Sequence, residues 1–116
     1  MTAQVAADLR AAADILERDG WTQGDLGECG GPKRLVGVAY YVASDGTEVL
    51  FERSGAAIHR AETSIKAFAA HVRVERAEIP TWNDTPGRTA DEVIAALRAA
   101  ADTVEQADTH RADGQR

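Results

Sequence analysis

Apolar residues recur at three- and four-residue spacing in three stretches of the chain, which is the pattern of helices with one buried face. The clearest stretch covers residues 3–19, and two more cover residues 55–73 and 90–107. Thr89 and Glu92 have the spacing of a capping box at the start of the last stretch. The pattern therefore predicts three main helices.

The stretch at residues 36–53 fits two patterns. Its valines and tyrosines, with an Asp-Gly turn signal at residues 44–46, favour a β-hairpin. Leu35, Val38 and Val42, however, have the spacing of a helix face. We predict a helix-rich α+β fold that includes the hairpin, and an all-α fold is the alternative.

One short sequence, Leu-Arg-Ala-Ala-Ala-Asp, occurs twice, at residues 9–14 and 97–102. Each copy has a glutamate three residues further on, Glu17 and Glu105. Both copies lie in the predicted terminal helices, and small alanine side chains let two helices approach closely. We therefore expect the terminal helices to pack against each other.

Length and composition fit a single small domain. The chain has 116 residues, and aromatic residues make up only 5% of them, so the core must be built mainly from alanine and aliphatic side chains. We expect one domain over residues 1–107. Residues 108–116 are polar and are predicted to form a mobile tail.

Charge and composition also exclude several classes of protein. The net charge is −6, and such an acidic balance argues against nucleic-acid binding. The sequence has neither an apolar stretch of membrane-spanning length nor the pattern of a secretory leader. Cys29 is the single cysteine, so no intrachain disulfide can form. We expect a cytoplasmic protein that is not associated with a membrane. This composition is also compatible with a homo-oligomer.

Residues that could carry catalysis or bind a metal do not fall into known spacings. His59 and His71 are separated by about 18 Å of helix rise, too far to ligate one ion. Ser54 and Ser64 lack the Gly-x-Ser-x-Gly context of a hydrolase nucleophile. The sequence thus predicts no catalytic set, no metal and no cofactor, and it argues against an enzyme.

The middle of the chain is locally basic, whereas both terminal helices are acidic. Arg60 and Arg73 lie in this basic stretch and are candidates for an interaction face. A surface that combines acidic and basic regions suits protein partners better than DNA.

Two segments resemble those of a small uncharacterised family from actinobacteria and their phages. The first contains Gly-Trp-Thr-Gln-Gly at residues 20–24, and the second contains Trp-Asn-Asp-x-Pro-Gly-Arg-Thr at residues 82–89. At residues 34–38 this chain departs from the family's Cys-Leu-x-Gly-Ala, so no cysteine role carries over. The family has no established activity. The resemblance implies a genome context and a set of candidate residues that act together: Trp21, Gln23, Trp82, Asn83, Asp84 and Arg88.

Both motifs flank the terminal helices, so the two loops should meet if those helices pair. Trp21 and Trp82 would then pack together, while Asn83 and Asp84 satisfy backbone groups of the loops. We interpret the chain as a small non-catalytic protein-interaction module, an accessory factor of a phage or mobile element that modulates a host protein. The alternative is a small-ligand-binding protein or enzyme whose site lies where the loops at 21–26 and 81–88 meet.

Overall fold

The computed structural model describes residues 2–23, 33–44 and 54–114, and within these ranges it describes the side chains of residues 3–107. These ranges contain five α-helices and one 3₁₀ turn: α1 (Thr2–Asp19), α2 (Leu35–Ala43), α3 (Gly55–Val72), the 3₁₀ turn (Arg76–Glu78), α4 (Ile79–Asn83) and α5 (Ala90–Gly114). The sole β contact within these ranges is a single bridge between Trp21 and Lys33.

The predicted α+β class is wrong, and the all-α alternative fits the described residues. Residues 35–43, the first half of the expected hairpin, form α2. Leu35, Val38 and Val42 are buried on one face of that helix, which lies against α1 and α3. Burial of this face outweighs the strand preference of valine and tyrosine, which is weak and depends on context. Residues 45–53, the rest of the expected hairpin, lie outside the described residues.

The three main helices occur at the predicted places. They are α1, α3 and α5, and their caps follow from the sequence: Ser54 Oγ accepts from the backbone N–H of Ala57 at the start of α3 (3.1 Å). Thr89 Oγ1 accepts from the N–H of Glu92 (3.2 Å), so this half of the expected capping box forms. The backbone of α5 continues past residue 107 to Gly114, into the segment predicted to be a tail.

The repeated sequence joins α1 to α5 through reciprocal ion pairs. Arg10 binds Asp102 (2.7 Å) and Glu105 on α5. In the same way, the second copy's Arg98 binds Asp14 (3.1 Å) and Glu17 on α1. The two helices therefore run antiparallel, and an approximate twofold axis relates the two copies. These charges thus hold α1 and α5 together.

Alanine makes this close pairing possible. Ala12, Ala13, Ala100 and Ala101 are all 3% exposed or less at the α1–α5 contact, which is the most extensive helix contact in the described chain. The small side chains bring the helix axes close together, and the larger buried residues, among them Phe68 of α3, fill the space beside the pair.

A polar network ties α2, α3 and the 3₁₀ turn together. The Glu62 carboxylate accepts two hydrogen bonds from the Arg76 guanidinium (2.7 and 2.9 Å) and one from the Tyr40 hydroxyl. The Arg76 hydrogen bond, assisted by that of Tyr40, lowers the pKa of Glu62 from 4.5 to about 2. The ionised carboxylate is therefore the form that the folded state favours.

Enlarging one alanine of the α1–α5 contact should destabilise the protein, whereas enlarging its exposed neighbour should not. Ala100 is fully buried and Ala99 is exposed on the same helix. We expect Ala100→Leu to lower the free energy of unfolding by about 1–3 kcal/mol through overpacking. Ala99→Leu should change it by less than about 0.5 kcal/mol. Urea unfolding followed by circular dichroism measures both values, and equal effects would contradict the assigned packing.

Acid should weaken the contribution of Glu62 in a defined pH window. Because folding lowers its pKa, this stabilisation is complete above pH 4.5 and is lost as the pH falls towards 2. Between pH 6 and pH 3, wild-type protein should lose about 2 kcal/mol more unfolding free energy than Glu62→Gln, which does not titrate. Parallel urea titrations at the two pH values test this, since the other carboxylates contribute equally to both proteins. Identical pH dependence would contradict the assignment.

Candidate functional site

The chain segments that leave α1 and enter α2 lie side by side. The backbone N–H of Thr22 donates to the carbonyl of Lys33 (3.1 Å), and the N–H of Lys33 donates to the carbonyl of Gly20 (3.0 Å). Gly20 has φ +98°, a left-handed conformation that ends α1 and that glycine adopts without strain. This short bridge presents the Trp21 side chain to the end of α4.

Asn83, the last residue of α4, is 1% exposed and lies at the centre of this junction. Its Oδ1 accepts from the Trp21 indole N–H (2.7 Å) and from the backbone N–H of Leu35 (3.1 Å). Its Nδ2 donates to the Thr22 carbonyl (3.1 Å) and to Asp84 Oδ1 (3.1 Å). One amide thus uses two acceptor and two donor positions, and we call this arrangement the Asn83 latch.

The latch also caps α2 from outside that helix. The first N–H groups of a helix have no partner within it, and the N-cap residue of α2, Arg34, supplies no side-chain hydrogen bond. Asn83 Oδ1 satisfies the N–H of Leu35 instead. The start of α2 therefore depends on a residue that is far away in the sequence.

Gln23 closes the junction on the side of α4. Its Nε2 donates to the carbonyls of Asn83 (3.1 Å) and Thr85 (2.9 Å). Backbone carbonyls at a helix end lack partners within the helix, so Gln23 acts as a cap supplied by the segment after α1.

Trp82 and Arg88 form the other half of the junction. The Trp82 ring meets Phe68 edge to face, with 5.1 Å between ring centroids. The Arg88 guanidinium lies over the Trp82 ring, 3.9 Å from its centroid. The Nε of Arg88 donates to the Trp82 carbonyl (3.1 Å). Gly87, at φ +84°, adopts the left-handed conformation of the turn that precedes Arg88.

The structure brings together the six residues that the resemblance singled out: Trp21, Gln23, Trp82, Asn83, Asp84 and Arg88. The expected roles differ in detail. The ring partner of Trp82 is Phe68, whereas the Trp21 indole binds Asn83. Asn83 satisfies backbone groups as expected, and the exposed Asp84 accepts a hydrogen bond from Asn83.

The candidate loop at 81–88 is shorter than the sequence indicated. Residues 81–83 of the segment 81–88 belong to α4, and residues 24–26 of the segment 21–26 lie outside the described residues. The junction is thus built from the end of a helix, a tight turn and the short segment after α1, all of which have defined geometry.

Lys33 is a member of this region that sequence reasoning missed. It is 8% exposed, with its ammonium 3.3 Å from the Asp19 carboxylate and 4.6 Å from the centre of the Tyr41 ring. Hydrogen bonds from Arg18 and then from Lys33 lower the pKa of Asp19 to about 2. The chain has only two lysines, but a single lysine beside a glycine-rich segment carries no signal of burial.

The candidate interaction residues Arg60 and Arg73 do not form one face. Arg60 donates two hydrogen bonds (both 2.8 Å) to the Asp8 carboxylate, which is 5% exposed, so it helps to hold α3 against α1. Arg73 is exposed and ends α3 with φ +63°. Thirteen positions of helix separate the two residues by about 20 Å along the axis.

Metal-binding geometry is not found in the part of the chain that the structure describes. Within residues 2–23, 33–44 and 54–107, no group of three or more His, Cys, Asp or Glu side chains is placed to hold an ion. His59 and His71 both lie on α3, where His71 Nδ1 is 3.3 Å from Thr103 Oγ1. Cys29 and the side chain of His110 lie outside the described residues.

The chain matches a family of unknown function, DUF6197, over residues 1–103, and it belongs to this family. The match includes both halves of the junction and nearly the whole α1–α5 contact. No curated protein and no solved structure matches the chain. Among the described helices, none has the length and apolar character needed to cross a membrane.

Removing the Asn83 amide should destabilise the protein. In Asn83→Ala, the Leu35 N–H, the Trp21 indole N–H and the Thr22 carbonyl lose their partner at a buried position. We expect the free energy of unfolding to fall by about 3 kcal/mol, since each unsatisfied buried group costs about 1–3 kcal/mol and water can reach some of them. Chemical denaturation measures this loss. The control is Gln106→Ala, which removes an exposed amide and should cost less than about 0.5 kcal/mol; equal losses would refute the latch.

Proposed function

We propose that this protein is a small non-catalytic interaction module that acts by binding another protein. One observation carries the proposal: the polar and aromatic groups of the two motifs are bound to one another and to the surrounding backbone. The Asn83 amide, the Trp21 indole and the Gln23 amide all hold elements of the fold together. Groups that serve chemistry must instead face a substrate, so this arrangement supports a structural role for the junction.

The alternative, a ligand site or enzyme at the junction, has less support. Its best candidate for acid–base chemistry is Asp84, whose carboxylate accepts a hydrogen bond from Asn83. The cation of the junction, Arg88, is stacked on Trp82 and also reaches Glu92 (3.4 Å). Both charged groups are thus bound to other residues of this chain, which favours function through another part of the surface.

The resemblance to proteins of actinobacteria and their phages suggests the setting of this interaction. We propose a cytoplasmic accessory factor, encoded by a phage or mobile element, that modulates a host protein. A small domain with ion pairs on its surface and a net charge of −6 suits this role, because charge complementarity gives selectivity and rapid association.

Affinity capture from an actinobacterial lysate, followed by reconstitution, tests this proposal. We expect one host protein to be enriched by the wild type and to form a complex of fixed stoichiometry when both purified proteins are analysed by size-exclusion chromatography with light scattering. Asp84→Asn, which changes the junction but keeps its size, should bind the same protein equally well.

Two outcomes would contradict the proposal. One is that no enriched protein forms a complex with the purified chain. The other is a small-molecule screen by NMR in which a bound metabolite shifts the junction resonances and loses affinity in Asp84→Asn, since this would favour the alternative. Reversal of Arg60 is unsuitable as a control because Arg60 binds the buried carboxylate of Asp8.

A further inference from the structure

An open groove runs along the outer side of the α1–α5 pair and has a volume of about 530 Å³. Its floor is made of small and aliphatic side chains of α5, namely Ile94, Ala95 and Ala99. Ile94 is largely buried, whereas Ala95 and Ala99 are exposed. Exposed alanines offer an approaching chain a smooth apolar surface over which another helix backbone can come close.

The rim of this groove carries more negative than positive charge. Its carboxylates are Glu17, Asp91 and Asp102, and its one cation is Arg98. Arg98 is already bound to Glu17, while Asp102 is bound to Arg10 from outside the groove. Asp91 makes no ion pair with any residue that the structure describes. The three carboxylates of the rim therefore outnumber its one cation, and Asp91 is the rim carboxylate that has no ion pair in the described chain.

The approximate twofold axis of the α1–α5 pair relates the groove to an equivalent surface on α1, with which it can be compared. The axis relates each position of α1 to the position 88 residues later on α5, so Ala7 corresponds to Ala95 and Ala3 to Asp91. Ala7 is exposed like Ala95, but Ala11, the counterpart of Ala99, is half-buried, and this surface has Ala3 in place of Asp91 and Ala6 in place of Ile94. The groove thus differs from its symmetry-related counterpart by one added carboxylate and one larger apolar side chain.

From these features we infer that the groove on α1 and α5 binds an amphipathic helix of a partner protein, with small apolar residues on one face and Lys or Arg along its edges. A helix is the favoured shape because it would lie along two antiparallel helices as the third member of a bundle. Lysine and arginine would complement the surplus carboxylates of the rim. A second copy of this chain is disfavoured, since it presents the same acidic groove and a net charge of −6.

This inference rests on the proposed function and names the surface and the chemistry of the partner. It can be tested without the natural partner. The probe is a synthetic helix-forming peptide with an alanine and leucine face flanked by lysines, labelled for fluorescence anisotropy. Unstructured polylysine of equal charge and the same amphipathic peptide with glutamate in place of lysine serve as reference peptides.

Ala95→Arg and Ala7→Arg form a matched pair of protein variants. Both place the same charge and volume at an exposed alanine of equivalent helical position, so general electrostatic effects are equal. We expect Ala95→Arg to weaken binding of the lysine peptide at least tenfold and Ala7→Arg to weaken it less than twofold. Asp91→Asn should weaken binding several-fold at low salt, whereas Glu75→Gln, on the 3₁₀ turn side of the protein, should not.

Several results would overturn the inference. They are equal losses in the two arginine variants, tighter binding of polylysine than of the amphipathic peptide, and NMR shifts that map away from α1 and α5. The same variants separate this inference from the proposed function. If the captured host protein binds Ala95→Arg as well as it binds the wild type, the proposed function is supported and the groove is not the binding surface. If the peptide binds in the groove but no host protein forms a complex, the proposed function is wrong.

Discussion

The antiparallel pairing of α1 with α5 is the contact on which the other features depend. Buried alanines set its close spacing, and Arg10 and Arg98 join each helix to carboxylates of the other. Because the helices run antiparallel, the end of α1 lies beside the start of α5. The segment that follows α1 therefore meets the turn that precedes α5. Asn83, at the start of that turn, can bind Trp21 and Thr22 in the segment after α1. The Asn83 latch therefore depends on the pairing of α1 with α5 as well as on the residues that form it.

Asparagine suits the centre of this junction for a reason that few side chains share. The site offers two N–H groups and two acceptors to a single buried side chain, and an amide matches all four. A carboxylate would lack the donors and would add a buried charge, while an aliphatic residue would deprive the Trp21 indole N–H, the Leu35 N–H and the Thr22 carbonyl of this partner. The geometry of three chain segments that meet thus accounts for the hydrogen bonds of Asn83.

Much of this fold follows from the sequence, and the exceptions have physical causes. The helical stripes of α1, α3 and α5 are long, so their period is clear, and the repeat indicated that α1 and α5 would pack. α2 was mistaken for a strand because its short apolar run, with Val36, Tyr40 and Tyr41, fits both periods, and only burial against α1 and α3 decides between them. Ion-pair partners such as Asp8 for Arg60 are distant in the sequence, and a single sequence carries no signal for them.

The distance along the chain between α1 and α5 also bears on how the protein folds. Among the described helices, the most extensive contact joins the two that are farthest apart in sequence, so it closes a long loop of the chain. Helical proteins with mainly local contacts fold fast, whereas contacts between distant segments slow folding. During synthesis, α1 leaves the ribosome before α5, and the alanine face that α1 presents to α5 is uncovered until α5 follows. The close pairing of alanines in this core therefore waits for the synthesis of α5.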